Sequence, residues 1–187
     1  IGKNKDGKFP LAAYSIETFL NNVLKGEPYK LNTLLLYNCN PLFSNYDIKF
    51  IHQVIKKIPF MVSFSSFMDE TTHYSDLILP DHTYLEKWQN DITYTFQGFP
   101  VVGIGRPIVK PLYDTQNTGD AIIEIARGMG GSVARAFLWK NSKEMLLDIM
   151  KKVFEIERGD LFGLEFEEAW VKILARGGWR APSYRGF

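Results

Sequence analysis

Cysteine is nearly absent from this chain: of 187 residues, only Cys39 carries a thiol. One thiol excludes an intrachain disulfide, a CxxC redox pair and an iron–sulfur cluster ligated by this segment alone. Charge of one sign is lacking too, since 22 Lys and Arg face 21 Asp and Glu, with a formal net charge of +1 and no long run of either kind. The composition therefore carries no nucleic-acid or anionic-membrane footprint. No run approaches the ~20 apolar residues that a membrane-spanning helix needs. The opening IGKNKDGKFPL has no apolar stretch of the kind a signal peptide carries. A soluble, untargeted chain is expected. Because it starts at Ile1 in a charged, glycine-containing stretch that reads as an internal loop, a fragment of a larger multidomain subunit is expected as well.

What is present is apolar and patterned. With 45% hydrophobic and 14% aromatic residues, the chain can bury a full core in one domain or at most two. Ile16, Phe19, Leu20, Val23 and Leu24 share one helical face, with Ser15 as N-cap and Gly26 and Pro28 as the stop. The run TLLLY (33–37) reads as a strand buried on both faces, ending at the turn residues NCNP (38–41). A helix over 45–57, carrying Ile48, Ile51, Val54 and Ile55, leads to a second apolar run, FMVSF. This strand–helix–strand order calls for parallel neighbours joined by a crossover.

After FMVSF, Asp69 can cap a short helix through THYSD, and LILP (77–80) supplies a third buried strand. ITYTF (92–96) and FPVVGIG (99–105) read as a hairpin or peripheral strands. A helix starting near Asp120 should bury Ile122, Ile125, Ala126 and Met129 and stop at Gly130 and Gly131. The α/β part is expected to end there, giving a domain over 1–131 and a helical extension over 132–187. In that extension Ser142 should cap a helix with Met145, Leu146, Ile149, Met150 and Val153 on one face, and another helix carries Phe166, Ala169, Trp170, Ile173 and Leu174.

The usual catalytic templates find little. GIG (103–105) is followed by Arg106 and Pro107, so the dinucleotide fingerprint lacks its third glycine and its helix. His73, Asp76, Asp81, His82 and Glu86 are metal-ligand types, but no HxxxH pair is present. Ser65, His73 and Asp76 could supply a hydrolase set, yet there is no GxSxG elbow. His52 reads as a surface histidine. Position says more: in an open parallel sheet, ligands bind outside the carboxyl ends of the strands. Here those ends are NCNP, SSFMDET and PDHTYLE, a polar rim with the residue types to hold a nucleotide.

The succession YNCNPLFS, then FMVSFSSFMDETTHYSDLILPDHTYLEKW, then PLYDTQNTGD before a helix resembles the molybdopterin oxidoreductase (dimethyl sulfoxide reductase) family. There an Asn-Pro turn follows one strand, an E-T-x-x-x-A-D-[LV]-[VI]-L-P block follows the next, and a Glu comes soon after. This chain has Asn40-Pro41, Glu70-Thr71, Asp76, Leu79-Pro80 and Glu86, within a similarity running roughly from Ser15 to Gly131. The wording VSFSSFMDETT and LPDHTYLEKW is similar to the branch of polysulfide and thiosulfate reductases and the molybdopterin-like subunits of menaquinone reductase and alternative complex III.

The resemblance implies a parallel-sheet, dinucleotide-binding-like α/β domain from a membrane-associated respiratory oxidoreductase. Such a domain holds the guanosine end of a bis(molybdopterin guanine dinucleotide) carrying molybdenum or tungsten, with iron–sulfur clusters outside this segment. It implies that Asn40, Pro41, Ser63, Ser65, Glu70, Thr71, Asp76 and Glu86 bind the cofactor, and that no catalytic residue or metal ligand lies here. The implied partners are an iron–sulfur subunit with a membrane quinone-binding subunit, on the periplasmic or extracytoplasmic face of a prokaryote. Two positions depart from the pattern: Ser65 stands where an acidic residue is common, and Ser75 where an alanine is. Subgroups of this branch have lost molybdenum, so the alternative is a cofactor-free structural or electron-relay subunit of a quinone-linked complex. An independent small nucleotide-binding protein is a third reading.

Overall fold

A computed structural model of the chain describes residues 16–94 and 98–182, without the side chains of Thr93 and Tyr94. Ser15, the expected N-cap, and Thr95 and Phe96, the end of an expected strand, lie outside the described residues. The chain folds as two compact units, Ile1–Asp81 and His82–Phe187. The boundary read at Gly131 thus falls inside the second unit.

In the first unit the 3.6-residue spacing forms α1 (Ile16–Lys25), which ends where Gly26 takes φ +70°, a conformation costly for any residue with a Cβ. Strands β1 (Thr33–Tyr37), β2 (Phe60–Phe64) and β3 (Leu77–Ile78) form a parallel sheet in that order. Its register sets Leu35 beside Val62 and Val62 beside Leu77. Central β2 buries Met61, Val62, Ser63 and Phe64, as a strand covered on both faces must. β3 is shorter than LILP suggests, although Leu79 and Asp81 beyond it still donate their N–H groups to Ser63 O and Ser65 O of the β2 chain, at 2.9 and 3.4 Å.

Helix α3 (Ile48–Ile55) coincides with its apolar pattern and is shorter than the expected 45–57, because Asp47 caps it, the carboxylate accepting the Phe50 N–H at 2.9 Å. Its Ile51 and Val54 pack with Leu20, Val23, Leu42 and Ile58 in one buried cluster, with Leu34 of β1 against it. Burying side chains of this kind contributes about 1.5–3 kcal/mol each, and this cluster holds α1 and α3 to the sheet.

In the second unit β4 (Gln89–Tyr94) and β5 (Pro100–Gly105) form the expected antiparallel hairpin. Helices α4 (Thr118–Met129), α5 (Gly131–Ala136), α6 (Ser142–Phe154) and α7 (Phe166–Arg176) follow. A strand that the sequence pattern does not announce, β6 (Gly178–Arg180), then pairs antiparallel with β5. Three residues carry no period to read. What admits them is Gly178, where a Cβ would come within 2.5 Å of the Val102 carbonyl oxygen. Val102, Ile104, Leu146, Met150, Ala169, Ile173 and Trp179 share the buried core here.

Two expectations for the helices need correction. α4 buries Thr118, Ala121, Ile123 and Ala126, while Ile125 and Met129 are exposed. Ala126 is buried as expected, with Ile123 in place of Ile125, and α6 begins against this helix: the Asp120 carboxylate accepts both the N–H and the hydroxyl of Ser142, at 2.6 and 2.5 Å. With Ser142 so engaged, the N-cap of α6 is Asn141, whose Oδ1 accepts the Glu144 N–H at 2.9 Å. Among the described residues no helix is long and apolar enough to cross a membrane.

The end of α7 is tied down by Asp160. Its carboxylate accepts Arg176 through both terminal guanidinium nitrogens, at 2.6 and 2.8 Å, and Arg180 Nε at 2.9 Å. Burial raises the pKa of this carboxyl, but the Arg176 and Arg180 hydrogen bonds outweigh it and the net shift is downward. A carboxyl whose folded-state pKa is depressed stabilises the fold above its unfolded pKa, and loses that contribution as pH falls through the folded value. Thermal unfolding of the wild-type chain should therefore show an acid-side loss of stability, below the ordinary Asp value of about 3.9, that is smaller in Asp160→Asn. Parallel pH profiles for the two proteins would contradict the assignment.

Candidate functional site

The carboxyl ends of the parallel strands of the first unit form the candidate site, and Asn40 is its hub. NCNP, expected as a turn, is the entrance of a four-residue helix, α2 (Pro41–Ser44), with Asn40 as N-cap and Pro41 in its first turn. Asn40 Oδ1 accepts the Phe43 N–H at 3.3 Å and the Thr71 hydroxyl at 2.6 Å, while its Nδ2 donates to Glu70 Oε2 at 2.6 Å. Thr71, almost wholly buried, also accepts the Leu42 N–H at 3.1 Å. Glu70 is exposed, and the Asn40 hydrogen bond is the main reason its carboxyl lies below the ordinary range. Asn40, Pro41, Glu70 and Thr71 are thus brought together as expected, bound chiefly to one another.

The other expected residues sit elsewhere or are engaged within the fold. Ser63 is buried in β2, its hydroxyl 2.9 Å from that of Thr72. Ser65 closes on its own loop, donating to Phe67 O at 2.8 Å and accepting the Phe67 N–H at 3.1 Å. It does not hydrogen-bond His73, so the hydrolase set is not assembled. Asp76 lies at the opposite end of the sheet from the rim. It precedes β3, and its N–H and Oδ2 close on Met61 O and Met61 N at 2.9 and 2.7 Å, a double hook holding β3 to β2. Strand direction decides this, because in a parallel sheet the residue before a strand lies at the amino end.

Glu86 belongs to the second unit. Its oxygens accept the Thr83 N–H at 2.9 Å and the Leu112 N–H at 3.0 Å, and these bonds hold its carboxyl below the ordinary range. Of the possible metal ligands, His82 Nδ1 lies 2.6 Å from the Thr115 hydroxyl. Among the described residues no three His, Cys, Asp or Glu side chains are grouped to hold a metal ion.

A cavity of about 560 Å³ opens beside this rim, between α3 and the loop after β2. Leu42, Ile48 and Met68 give it apolar walls, Asp69 and Glu70 an acidic lip, and no Lys or Arg lines it. Asp69 caps the following turn of 3₁₀ helix, Thr72–Tyr74, as expected, with Oδ1 accepting the Thr72 N–H at 2.7 Å. His52 is not a plain surface residue: it lines the cavity and meets the Tyr74 ring edge-on at 5.0 Å. Its place one turn after Ile48 on the α3 face is the signal that the sequence offers.

Comparison with known proteins agrees with this architecture. Residues 4–127 match the family described as Molybdopterin oxidoreductase. Among curated relatives, the "Menaquinone reductase, molybdopterin-binding-like subunit" of Nitratidesulfovibrio vulgaris is 31% identical over 108 residues, covering 58% of this chain and 16% of that protein. A tetrathionate reductase chain of Archaeoglobus fulgidus is 31% identical over 134 residues, covering 67% of this chain and 11% of that protein. The chain thus spans less than one-fifth of the length of either relative. Acetylene hydratase from Pelobacter acetylenicus superposes with a TM-score of 0.63 at 18% identity, over 88% of this chain and 20% of its own, which speaks to the fold alone. With a parallel sheet ending in this rim and a family match over more than half its length, the chain belongs to the molybdopterin oxidoreductase family.

Proposed function

We propose that this chain is part of a cofactor-free member of the family, a structural and electron-relay scaffold in a quinone-linked membrane respiratory complex. The observation that carries this reading is the state of the expected donor set. Asn40, Ser63, Ser65, Thr71, Asp76 and Glu86 are each hydrogen-bonded within the protein. A guanosine end needs side chains directed outward, with donors for its phosphates. The cavity beside the rim instead offers two carboxylates, two imidazoles and neither Lys nor Arg, and carboxylates repel phosphate at close range. These residues do not fit the guanosine end of a molybdopterin guanine dinucleotide, and no chemical step is assigned to that group.

The relative whose name reads "molybdopterin-binding-like subunit" of a menaquinone reductase supports the same branch. On this reading the redox centres lie in other parts of the assembly. Its neighbours are an iron–sulfur subunit with a quinone-binding membrane subunit on the extracytoplasmic face, and this α/β fold contributes shape and contact surface. The test is metal, pterin and guanine-nucleotide analysis of the purified full-length parent within its complex. Substoichiometric molybdenum and tungsten, with no releasable GMP, is the expected result. A metal and a pterin nucleotide near one per parent chain would overturn the reading and restore the cofactor-holding role.

A further inference from the structure

The end of the sheet that a dinucleotide would need is acidic and apolar. Met68 lines the cavity and is 68% exposed, and Phe43 and Phe67, the chain neighbours of the wall residues Leu42 and Met68, are each 79% exposed. Aromatic and methionine side chains exposed together beside a concavity mark a protein contact more often than bare solvent surface. The volume of about 560 Å³ is larger than one side chain requires and lies within the range of about 300–1,000 Å³ typical of ligand clefts. The lining divides by chemistry. Leu42, Ile48 and Met68 suit an aliphatic stem, Asp69 and Glu70 a cationic head, and the Tyr74 ring a planar cation stacked on it.

We propose that this groove docks a partner polypeptide through an arginine flanked by apolar residues, the guanidinium seated between Asp69, Glu70 and Tyr74. The inference rests on the cofactor-free reading, because a nucleotide at this rim would compete for the same space. Charge complementarity selects the occupant: a phosphate or an acidic peptide would meet two carboxylates and neither Lys nor Arg, beside the imidazoles of His52 and His73. Arginine suits the groove better than lysine, since its flat, weakly hydrated head can stack and accept carboxylates side by side. Part of each carboxylate is already fixed, Asp69 by the Thr72 N–H and Glu70 by Asn40, so the acidic lip is oriented before a partner arrives.

The test titrates the full-length parent chain with a fluorescent peptide alternating Leu and Arg, a matched Leu and Glu peptide, and GMP. Saturable binding of the Arg peptide only is expected, weakened about tenfold or more by Met68→Lys, whose exposed position leaves the melting temperature unchanged. Equal binding of the two peptides, or an affinity indifferent to Met68→Lys, overturns the proposal. So does self-association of the chain that Met68→Lys abolishes, since a second copy would then be the occupant. If neither GMP nor the Arg peptide binds, only the docking proposal falls. Saturable GMP binding lost in Met68→Lys would remove the cofactor-free reading along with it.

Discussion

Thr71→Val should cost about 1–3 kcal/mol of stability, read as a lower denaturant midpoint for the first unit. The substitution keeps the shape of the side chain and removes its hydroxyl. That hydroxyl accepts the Leu42 N–H and donates to Asn40 Oδ1, in a site almost closed to solvent. The Leu42 N–H would be stranded and Asn40 Oδ1 left with the Phe43 N–H alone, and an unmade buried hydrogen bond costs more than a made one contributes. Family resemblance alone predicts a different outcome for this residue, namely loss of cofactor retention. The structure moves the expected effect from binding to folding. A variant with the wild-type denaturant midpoint would contradict the geometry.

Ile173→Ala should destabilise the second unit by about 2–5 kcal/mol. Ile173 has 0% of its surface exposed and lies in the cluster that joins α6 and α7 to the antiparallel sheet. Removing three heavy atoms there leaves a cavity walled by Val102, Met150 and Trp179, whose backbones are fixed by sheet and helix hydrogen bonds and cannot collapse far. Val171→Ala, two residues earlier on the same helix but 66% exposed, should move stability little. Near-equal effects of the two substitutions, measured by urea unfolding, would show that this cluster is not the core of the unit.

The donors expected at the rim and the donors found there illustrate what a motif can convey. ET followed by a small residue and D-L-I-L-P marks a place in the family, but the residues do not all share one site. Asp76 serves the amino end of β2 and β3 through Met61, and Glu86 braces a loop of the second unit through Thr83 and Leu112. Distance along the chain cannot separate these roles, because the loop after β2 carries the chain from the carboxyl end of the sheet, at Thr71, back to its amino end, at Asp76, within a few residues. His52 is undervalued by its sequence context for a related reason. One histidine on an amphipathic helix reads as surface until the loop after β2 folds back beside it.

Local rules are sufficient where the signal is local. The α1 stripe, the FMVSF run, the hairpin near Gly98 and the α6 and α7 faces are legible, because each depends on side-chain period and on glycine or proline stops within about a dozen residues. TLLLY is legible as a strand, but as an edge strand it leaves Leu35 and Tyr37 exposed and is not buried on both faces. The charge balance and the lone cysteine likewise exclude whole classes of function without any fold. Only tertiary structure decided the rest. It brought β6 to the edge of β5 through the bare backbone of Gly178, turned α4 so that its alanines face inward, and tied Asn40 to Glu70 and Thr71 across thirty residues of chain. These outcomes depend on which surfaces meet and which hydrogen bonds are then already made, and no periodicity within a segment records that.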